Sequence, residues 1–179
     1  MAVMNTTAAQ VDWSIDLGRS EVAPLFFAAA LPVLQFVAVN FLGQNFGFTP
    51  LFFAPFGLPG WLGASLHLVS LPLFGVGGWL AWRAGGEGRS AAAWTAALVV
   101  GTVAFPFLVV ALDSLMLSIV SMCLLLVGII AAGRTATVSP AAALIMAPGL
   151  LWMGFSAFLG LSFVASWSPP FGLTNTAQA

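Results

Sequence analysis

His67 is the only histidine in the sequence, and it lies inside a long apolar stretch. An ionisable side chain within a membrane-spanning segment is costly unless it has a partner, so such residues are candidates for function. An imidazole nitrogen can ligate a metal ion or take part in hydrogen bonds. The alternative is a neutral side chain bonded to a backbone carbonyl or to a serine, such as Ser65 or Ser70. Both interpretations stay open at this point.

Four aromatic residues in apolar stretches are of the type that lines a flat ligand pocket. They are Trp61, Phe105, Trp152 and Phe155. Aromatic rings stack well on planar molecules. The same residues would also serve as ordinary contacts between helices, and the sequence favours neither interpretation.

The segment 43–60 carries no charged residue and is rich in phenylalanine. Its aromatic residues are Phe46, Phe48, Phe52, Phe53 and Phe56. An uncharged segment of this kind does not lie freely in water. We expect it to cover the bundle as a lid, to lie in the membrane interface or to contact another protein. The last two together are favoured over a lid.

The sequence has few residues that could form other kinds of site. One histidine and one cysteine, Cys123, do not assemble the ligand set of a protein-bound metal site or a catalytic triad. The apolar stretches contain no acid of the kind used in proton-coupled transport. Asp113 stands between two apolar stretches, where a helix cap or a solvated turn is the expected role. A net charge of −1 provides no basic surface for nucleic acid.

The composition places the chain in a membrane. Hydrophobic residues make up 61% of the 179 residues and charged residues 5%, against about 25% charged in an ordinary soluble domain. A helix crosses the hydrocarbon core in about 20 apolar residues. Five stretches qualify, at about 22–42, 61–82, 91–110, 115–132 and 140–167. The fold class is therefore all-α, a five-transmembrane-helix bundle, although a four-helix version with one broken helix stays open between the third and fourth stretches.

The basic residues predict a direction for the bundle. Arg19, Arg83, Arg89 and Arg134 fall on one side of a five-span topology, and the other side has none. By the positive-inside rule, residues 1–21 form a cytoplasmic N-terminal segment and residues 168–179 a tail on the opposite side. The location expected from this is the bacterial inner membrane, with a periplasmic C-terminus.

Small residues are expected to allow helices to approach closely. The candidates are Gly60 with Ala64, the group Gly75, Gly77 and Gly78, and in the fifth stretch Gly149, Gly154 and Gly160.

Three of the stretches contain short motifs of proline and aromatic residues at defined spacings. Pro59 and Trp61 open the second stretch, and Trp82 followed by Arg83 closes it. The other motif residues are Phe105-Pro106-Phe107-Leu108 in the third stretch, and Ser139-Pro140, Pro148, Trp152, Phe155 and Leu159 in the fifth. In these residues the chain, over roughly residues 59–167, resembles the TspO/translocator-protein family of tryptophan-rich sensory proteins. That resemblance also implies a bundle of five membrane helices.

Several positions depart from the family pattern. They are His67 and Phe105 in place of Trp, Leu71 and Gly149 in place of Tyr, Ser121 in place of Asp, and Gly160 in place of Asn. The first stretch and the loop after it also lack the usual pattern. We therefore expect a divergent member in which the bundle is kept and the pocket is changed, so that the fold carries over better than the ligand.

The resemblance implies binding of porphyrin-like tetrapyrroles or sterols inside the bundle. The ligand-binding residues it indicates are Trp61, His67, Phe105, Pro106, Pro148, Trp152 and Phe155. On this interpretation His67 is a candidate axial ligand of a tetrapyrrole metal, and the cofactor is a porphyrin, a chlorophyll-type pigment or another hydrophobic molecule. The expected function is non-enzymatic ligand binding by a homodimer in lipid. The alternative is an accessory subunit of a larger membrane complex, such as a pigment-containing photosynthetic one.

Overall fold

The computed structural model describes residue 15 and residues 17–167, so most of the expected N-terminal segment and the whole C-terminal tail lie outside it. Five long helices fill the described part, which contains no strand. They are α1 (Val22–Asn45), α2 (Gly60–Arg83), α3 (Gly86–Leu108), α4 (Ser114–Val138) and α5 (Pro140–Trp167). All five are long and apolar enough to cross a membrane, which confirms the expected five-helix membrane bundle.

The turn between α2 and α3 is tighter than the glycine-rich sequence indicates. α3 begins at Gly86 rather than near Ala91, because Gly85 and Gly86 take positive φ angles of 65° and 40° and reverse the chain at once. Glycine adopts this backbone region at little cost, since it has no Cβ. The glycines after Ala84 therefore start a helix instead of forming a loop.

α4 is longer than expected at its C-terminal end. It continues beyond Ala132 to Val138, because one glycine inside a helix, here Gly133, weakens it without ending it. The helix ends where Ser139 becomes extended, with φ −155° and ψ 96°. Ser139 precedes Pro140, and the residue before a proline is disfavoured in the helical region.

A clear boundary separates α3 from α4, so the version with four helices is wrong. α3 ends in a short 3-10 helix, Val109–Ala111, and Leu112 is extended. Asp113 then caps α4, and its carboxylate Oδ1 accepts a hydrogen bond of 2.8 Å from the Met116 N–H. This confirms the capping role expected for Asp113.

Four of the helices form a closed ring, in which α2 packs on α3, α3 on α4, α4 on α5 and α5 back on α2. α1 lies outside this ring against α2, with a smaller contact to α3. The up-and-down order brings the arginines to one end of the bundle, which we call the basic end. There Glu21 forms an ion pair with Arg83, whose guanidinium lies 5.0 Å from the Trp79 ring centroid. We call the opposite end the arginine-free end.

Glycines fill the basic half of the bundle by close backbone contact. A Cβ on Gly75 would collide with the Ala28 carbonyl oxygen of α1, and one on Gly78 would lie 3.0 Å from Thr95 of α3. Gly77 packs in the same way on Met146 of α5. By contrast, Gly60 has no such neighbour within 4 Å, and Gly154 and Gly160 have only ordinary contacts. The expected packing role is therefore wrong for Gly60, because it lies at the outer end of α2.

Candidate functional site

A cavity of about 1100 Å³ lies inside the four-helix ring, in its arginine-free half. Its walls are the first half of α2, the last third of α3, the first half of α4 and the middle of α5, and residues 51–54 cover it. The lining residues are Leu51, Phe52, Phe53, Ala54, Gly63, His67, Ser70, Thr102, Phe105, Pro106, Val109, Ser114, Leu115, Leu117, Ser118, Ser121, Leu124, Gly149, Trp152, Met153, Ser156 and Gly160. α1 contributes none of them.

Residues 51–54, which we call the capping segment, are fixed at two points. The Leu51 N–H donates a hydrogen bond of 2.9 Å to the carbonyl oxygen of Pro106 in α3. On the other side the Phe53 carbonyl lies directly on Gly63 of α2, where any Cβ would collide with it. The segment is thus held across the mouth of the ring by α2 and α3.

Pro106 also explains how His67 is held. A proline inside a helix has no N–H, so the carbonyl four residues earlier loses its usual partner. That carbonyl belongs to Thr102, and the Thr102 backbone is hydrogen-bonded to the His67 imidazole. A backbone carbonyl accepts, so the ring nitrogen that meets it donates its N–H. Nε2 of His67 is buried and has no hydrogen-bond partner among the described residues.

Aromatic rings surround His67 on the side of α1. The imidazole lies 5.4 Å from the Phe52 ring and 6.1 Å from the Phe36 ring, measured between centroids. Phe36 also lies 5.6 Å from Phe107 of α3. These contacts join α1, the capping segment and α3 around the histidine and hold its ring in place.

A second aromatic group lies against α5. The Phe53 ring is 5.8 Å from Trp152 and 6.3 Å from Phe155, and those two rings are 5.9 Å apart. Since Phe53 and Trp152 both line the cavity, the capping segment presents one ring to each side: Phe52 to the histidine and Phe53 to α5.

Hydroxyl groups form much of the polar part of the wall, and five of them donate their protons to carbonyls of their own helices. Ser70 donates to Leu66 and Thr102 to Leu98, both at 2.7 Å. The others are Ser118 to Ser114 and Ser121 to Ser118, both at 2.9 Å, and Ser156 to Trp152 and Met153 at 3.0 and 2.9 Å. The hydroxyl oxygens keep lone pairs that can accept further hydrogen bonds.

The structure brings four of the seven expected ligand-binding residues together. His67, Phe105, Pro106 and Trp152 line the cavity. Phe155 is 42% exposed and does not line it, but its ring lies beside those of Trp152 and Phe53, which do.

Two of the expected residues, Trp61 and Pro148, do not line the cavity. Trp61 is 67% exposed. It precedes the lining residue Gly63 by two positions, which is a rotation of about 200° around a helix. Pro148 is exposed and stands about 100° from Gly149, the first lining residue of α5.

The phenylalanines of segment 43–60 divide into two groups. Phe52 and Phe53 line the cavity, so this part of the segment covers it, in the arrangement that the sequence favoured less. Phe46, Phe48 and Phe56 are largely exposed at the arginine-free end. Phe56 takes a left-handed backbone conformation, with φ 59°, inside the turn Pro55–Gly57.

The hydroxyl groups form a common feature of the cavity that was not expected from the sequence. Ser114, Ser118 and Ser121 follow the i, i+4, i+7 spacing that places them on one face of a helix. That spacing was the available signal. Only the ring arrangement, however, shows that this face meets Ser156 of α5 and Thr102 of α3 across one cavity.

Comparison with known proteins agrees with this architecture. A sequence model of the TspO/MBR family matches residues 28–165, which is more than half of the chain and includes most of α1. The match thus begins well before Pro59, where the recognisable motifs start. Neither a search of curated proteins nor a search of solved structures gave a match. With five membrane helices and a family match that reaches all of them, the chain belongs to the TspO/MBR family.

Proposed function

We propose that the protein binds a hydrophobic ligand, of tetrapyrrole type or similar size, in the cavity of its arginine-free half and does not transform it. The observation that carries the proposal is the cavity itself, which has about 1100 Å³ of space inside a ring of apolar helices. Ligand pockets for molecules of drug size occupy roughly 300–1,000 Å³ and are mainly apolar with a few placed polar groups. This cavity has that character and is large enough for a macrocycle.

The lining residues favour holding a ligand over catalysis. None of them is an acid, a lysine, an arginine or a cysteine. General acid–base chemistry needs a group that can release and take up protons next to the reacting atoms. His67 would have to act alone, and one of its nitrogens is already bonded to the Thr102 backbone.

A tetrapyrrole fits the residues that are present. Phe53 and Trp152 provide flat surfaces for a planar ring, and Nε2 of His67 is buried with its lone pair free among the described residues. His67 would then be the axial ligand of a bound metallotetrapyrrole, which supplies a Lewis-acidic metal and an extended π-system. The aromatic rings around His67 would keep the imidazole in one orientation for this contact.

A pair of variants on α4 tests the binding site. Ser121 lines the cavity, whereas Cys123, two residues later, is exposed on the outside of the bundle. We expect protoporphyrin IX dimethyl ester to quench tryptophan fluorescence saturably in the purified protein. Ser121→Phe should weaken this binding at least about tenfold by filling the cavity, and Cys123→Phe should leave it unchanged. No saturable quenching, or equal losses in both variants, would contradict the proposal.

The axial-ligand role of His67 has its own test. The zinc complex of the same diester changes its absorption spectrum when a fifth ligand binds the metal. We expect that change with the wild-type protein and its loss with His67→Leu. An identical spectrum for both proteins would end the axial-ligand idea while leaving ligand binding itself intact.

For the location, we propose the bacterial inner membrane, with the basic end in the cytoplasm. Support comes from the four arginines, which all stand at one end of the bundle. Alkaline phosphatase fused to the C-terminus should be active, and green fluorescent protein fused there should be dark. The reverse pattern would invert the proposed direction.

A second candidate function is an accessory subunit of a larger membrane complex, including a pigment-containing photosynthetic one. The observations that favour it are the exposed Phe46, Phe48 and Phe56, and Gln35, an exposed amide about midway along α1. Polar side chains at mid-membrane often bond to a neighbouring helix. Solubilisation in mild detergent separates the candidates. Migration with a large coloured complex supports the subunit, and migration as a small oligomer supports the ligand-binding protein.

A further inference from the structure

The end of the bundle that holds the cavity carries no cationic residue. Between Val22 and Trp82 the sequence has no Asp, Glu, Lys or Arg, and from Ser90 to Ala179 it has only Asp113 and Arg134. Arg134 belongs to the last part of α4, at the basic end. Asp113 lies next to the lining residue Ser114. A carboxylate bound in the cavity would find no positive partner and one negative neighbour, and an unpaired buried charge is strongly unfavourable.

The polar groups of the wall are mostly hydrogen-bond acceptors. The five hydroxyl protons described above are committed to carbonyl oxygens of their own helices. Their oxygens are therefore able to accept from a ligand but have no proton to offer it.

His67 presents a further acceptor. Because its N–H is used on the Thr102 carbonyl, which Pro106 leaves without its helical partner, the second nitrogen of a neutral imidazole carries a lone pair. This nitrogen, Nε2, is buried and has no hydrogen-bond partner within residues 15 and 17–167. A buried polar atom without a partner is unfavourable, and a ligand donor would satisfy it.

Two lining side chains are left to donate, namely the indole N–H of Trp152 and the hydroxyl of Ser114 at the start of α4. Neutral donors of this kind do not compensate for burying a negative charge. They do match an oxygen that both donates and accepts, as a hydroxyl group does.

We infer that the ligand of this cavity is an uncharged apolar molecule that satisfies Nε2 of His67, either by donating a hydrogen bond through a hydroxyl or a ring N–H or, in a metallotetrapyrrole, through the metal. Ligands with free carboxylates are excluded. The inference rests on the proposed function and narrows it to a ligand class. Among tetrapyrroles it selects esterified or carboxylate-free forms over the free acids.

Three matched probes separate charge from hydrogen bonding. They are 4-(pyren-1-yl)butan-1-ol, its methyl ether and 4-(pyren-1-yl)butanoate, and tryptophan-to-pyrene energy transfer reports their binding to the full chain in lipid nanodiscs. Affinities are corrected for partition into empty nanodiscs. We expect the alcohol to bind at least about tenfold more tightly than the carboxylate and about fivefold more tightly than the ether.

Two variant pairs assign the effect to the cavity. Ser156 lines the cavity and Ser162 is exposed, yet each hydroxyl donates to the carbonyl four residues earlier in α5. Ser156→Leu should weaken binding of the alcohol, and Ser162→Leu should leave it unchanged. His67→Phe keeps an aromatic ring and removes the acceptor, so the preference for alcohol over ether should fall, whereas His67→Gln, which keeps an acceptor, should retain part of it.

The outcomes distinguish the two proposals. If none of the three probes binds saturably, the proposed function fails and the inference fails with it. If the carboxylate binds as tightly as the alcohol, or the ether does, the cavity binds ligands but the inferred ligand class is wrong.

Discussion

The basic half and the arginine-free half of this bundle are made from the same five apolar helices, yet one is filled and the other is hollow. In the basic half, glycines allow helix backbones to touch, as Gly75 does on the carbonyl of Ala28. In the arginine-free half, the four ring helices enclose about 1100 Å³, and the capping segment covers that space. Charge follows the same division, because all four arginines belong to the filled half. Packing in one half thus holds the helices together while the other half stays hollow beneath the capping segment.

Two prolines inside helices each leave a backbone carbonyl without its helical hydrogen bond, and the two freed carbonyls have different partners. Pro32 of α1 deprives the Ala28 carbonyl of its helical donor, and Gly75 packs directly on that oxygen. Pro106 of α3 does the same to the Thr102 carbonyl, which is then bonded to His67. In the filled half the freed oxygen is covered by a neighbouring helix. In the hollow half it positions a side chain that lines the cavity.

The largest expected effect is on the contact between α1 and α2. Gly75→Ala places a methyl group against the Ala28 carbonyl, so α1 must move outward, and we expect a loss of about 3 kcal/mol in the free energy of unfolding. Gly133→Ala is the control, because Gly133 lies within α4 with no atom within 4 Å of an added Cβ. There alanine should be neutral or stabilising by about 0.5–1 kcal/mol. Unfolding by SDS in mixed micelles measures both, and equal values would contradict the view of a close-packed half.

An intermediate effect is expected at the capping segment. Gly63→Ala pushes on the Phe53 carbonyl, which belongs to a loop and moves more easily than a helix, so we expect a loss of about 2 kcal/mol or less. The clearer effect should be a faster release of bound porphyrin diester, measured by stopped-flow fluorescence. Gly60→Ala, three residues earlier on α2, should change neither quantity because it meets nothing. An unchanged release rate in Gly63→Ala would mean that the capping segment does not hold the ligand.

The smallest effect is expected at the start of α4. Asp113→Ala removes the hydrogen bond to the Met116 N–H and should lower the free energy of unfolding by about 1 kcal/mol. Asp113→Asn keeps an oxygen that caps the helix and should stay close to the wild type. If the Asn variant loses as much unfolding free energy as the Ala variant, the charge of the carboxylate contributes to stability at the arginine-free end in a way that capping does not explain.

Some parts of the candidate site were accessible from the sequence and others were not. His67, Phe105, Pro106 and Trp152 were expected from their residue types and from the family motifs, and all four line the cavity. Trp61 has the same appearance but is directed outward, because it lies on the other side of α2 from Gly63. Residue type alone cannot separate these cases when a helix is apolar on every side.

The sequence by itself determined that the protein lies in a membrane, how many helices it has and which end carries its arginines. These properties depend on the length, composition and order of the stretches, and none of them requires contacts between helices. The tertiary structure decided which faces of the helices enclose the cavity, that Phe52 and Phe53 cover it, and that the carbonyl freed by Pro106 meets His67. Those depend on how each helix is rotated toward its neighbours. In helices surrounded by apolar side chains, that rotation is set by packing contacts between helices and not by the pattern of any one of them.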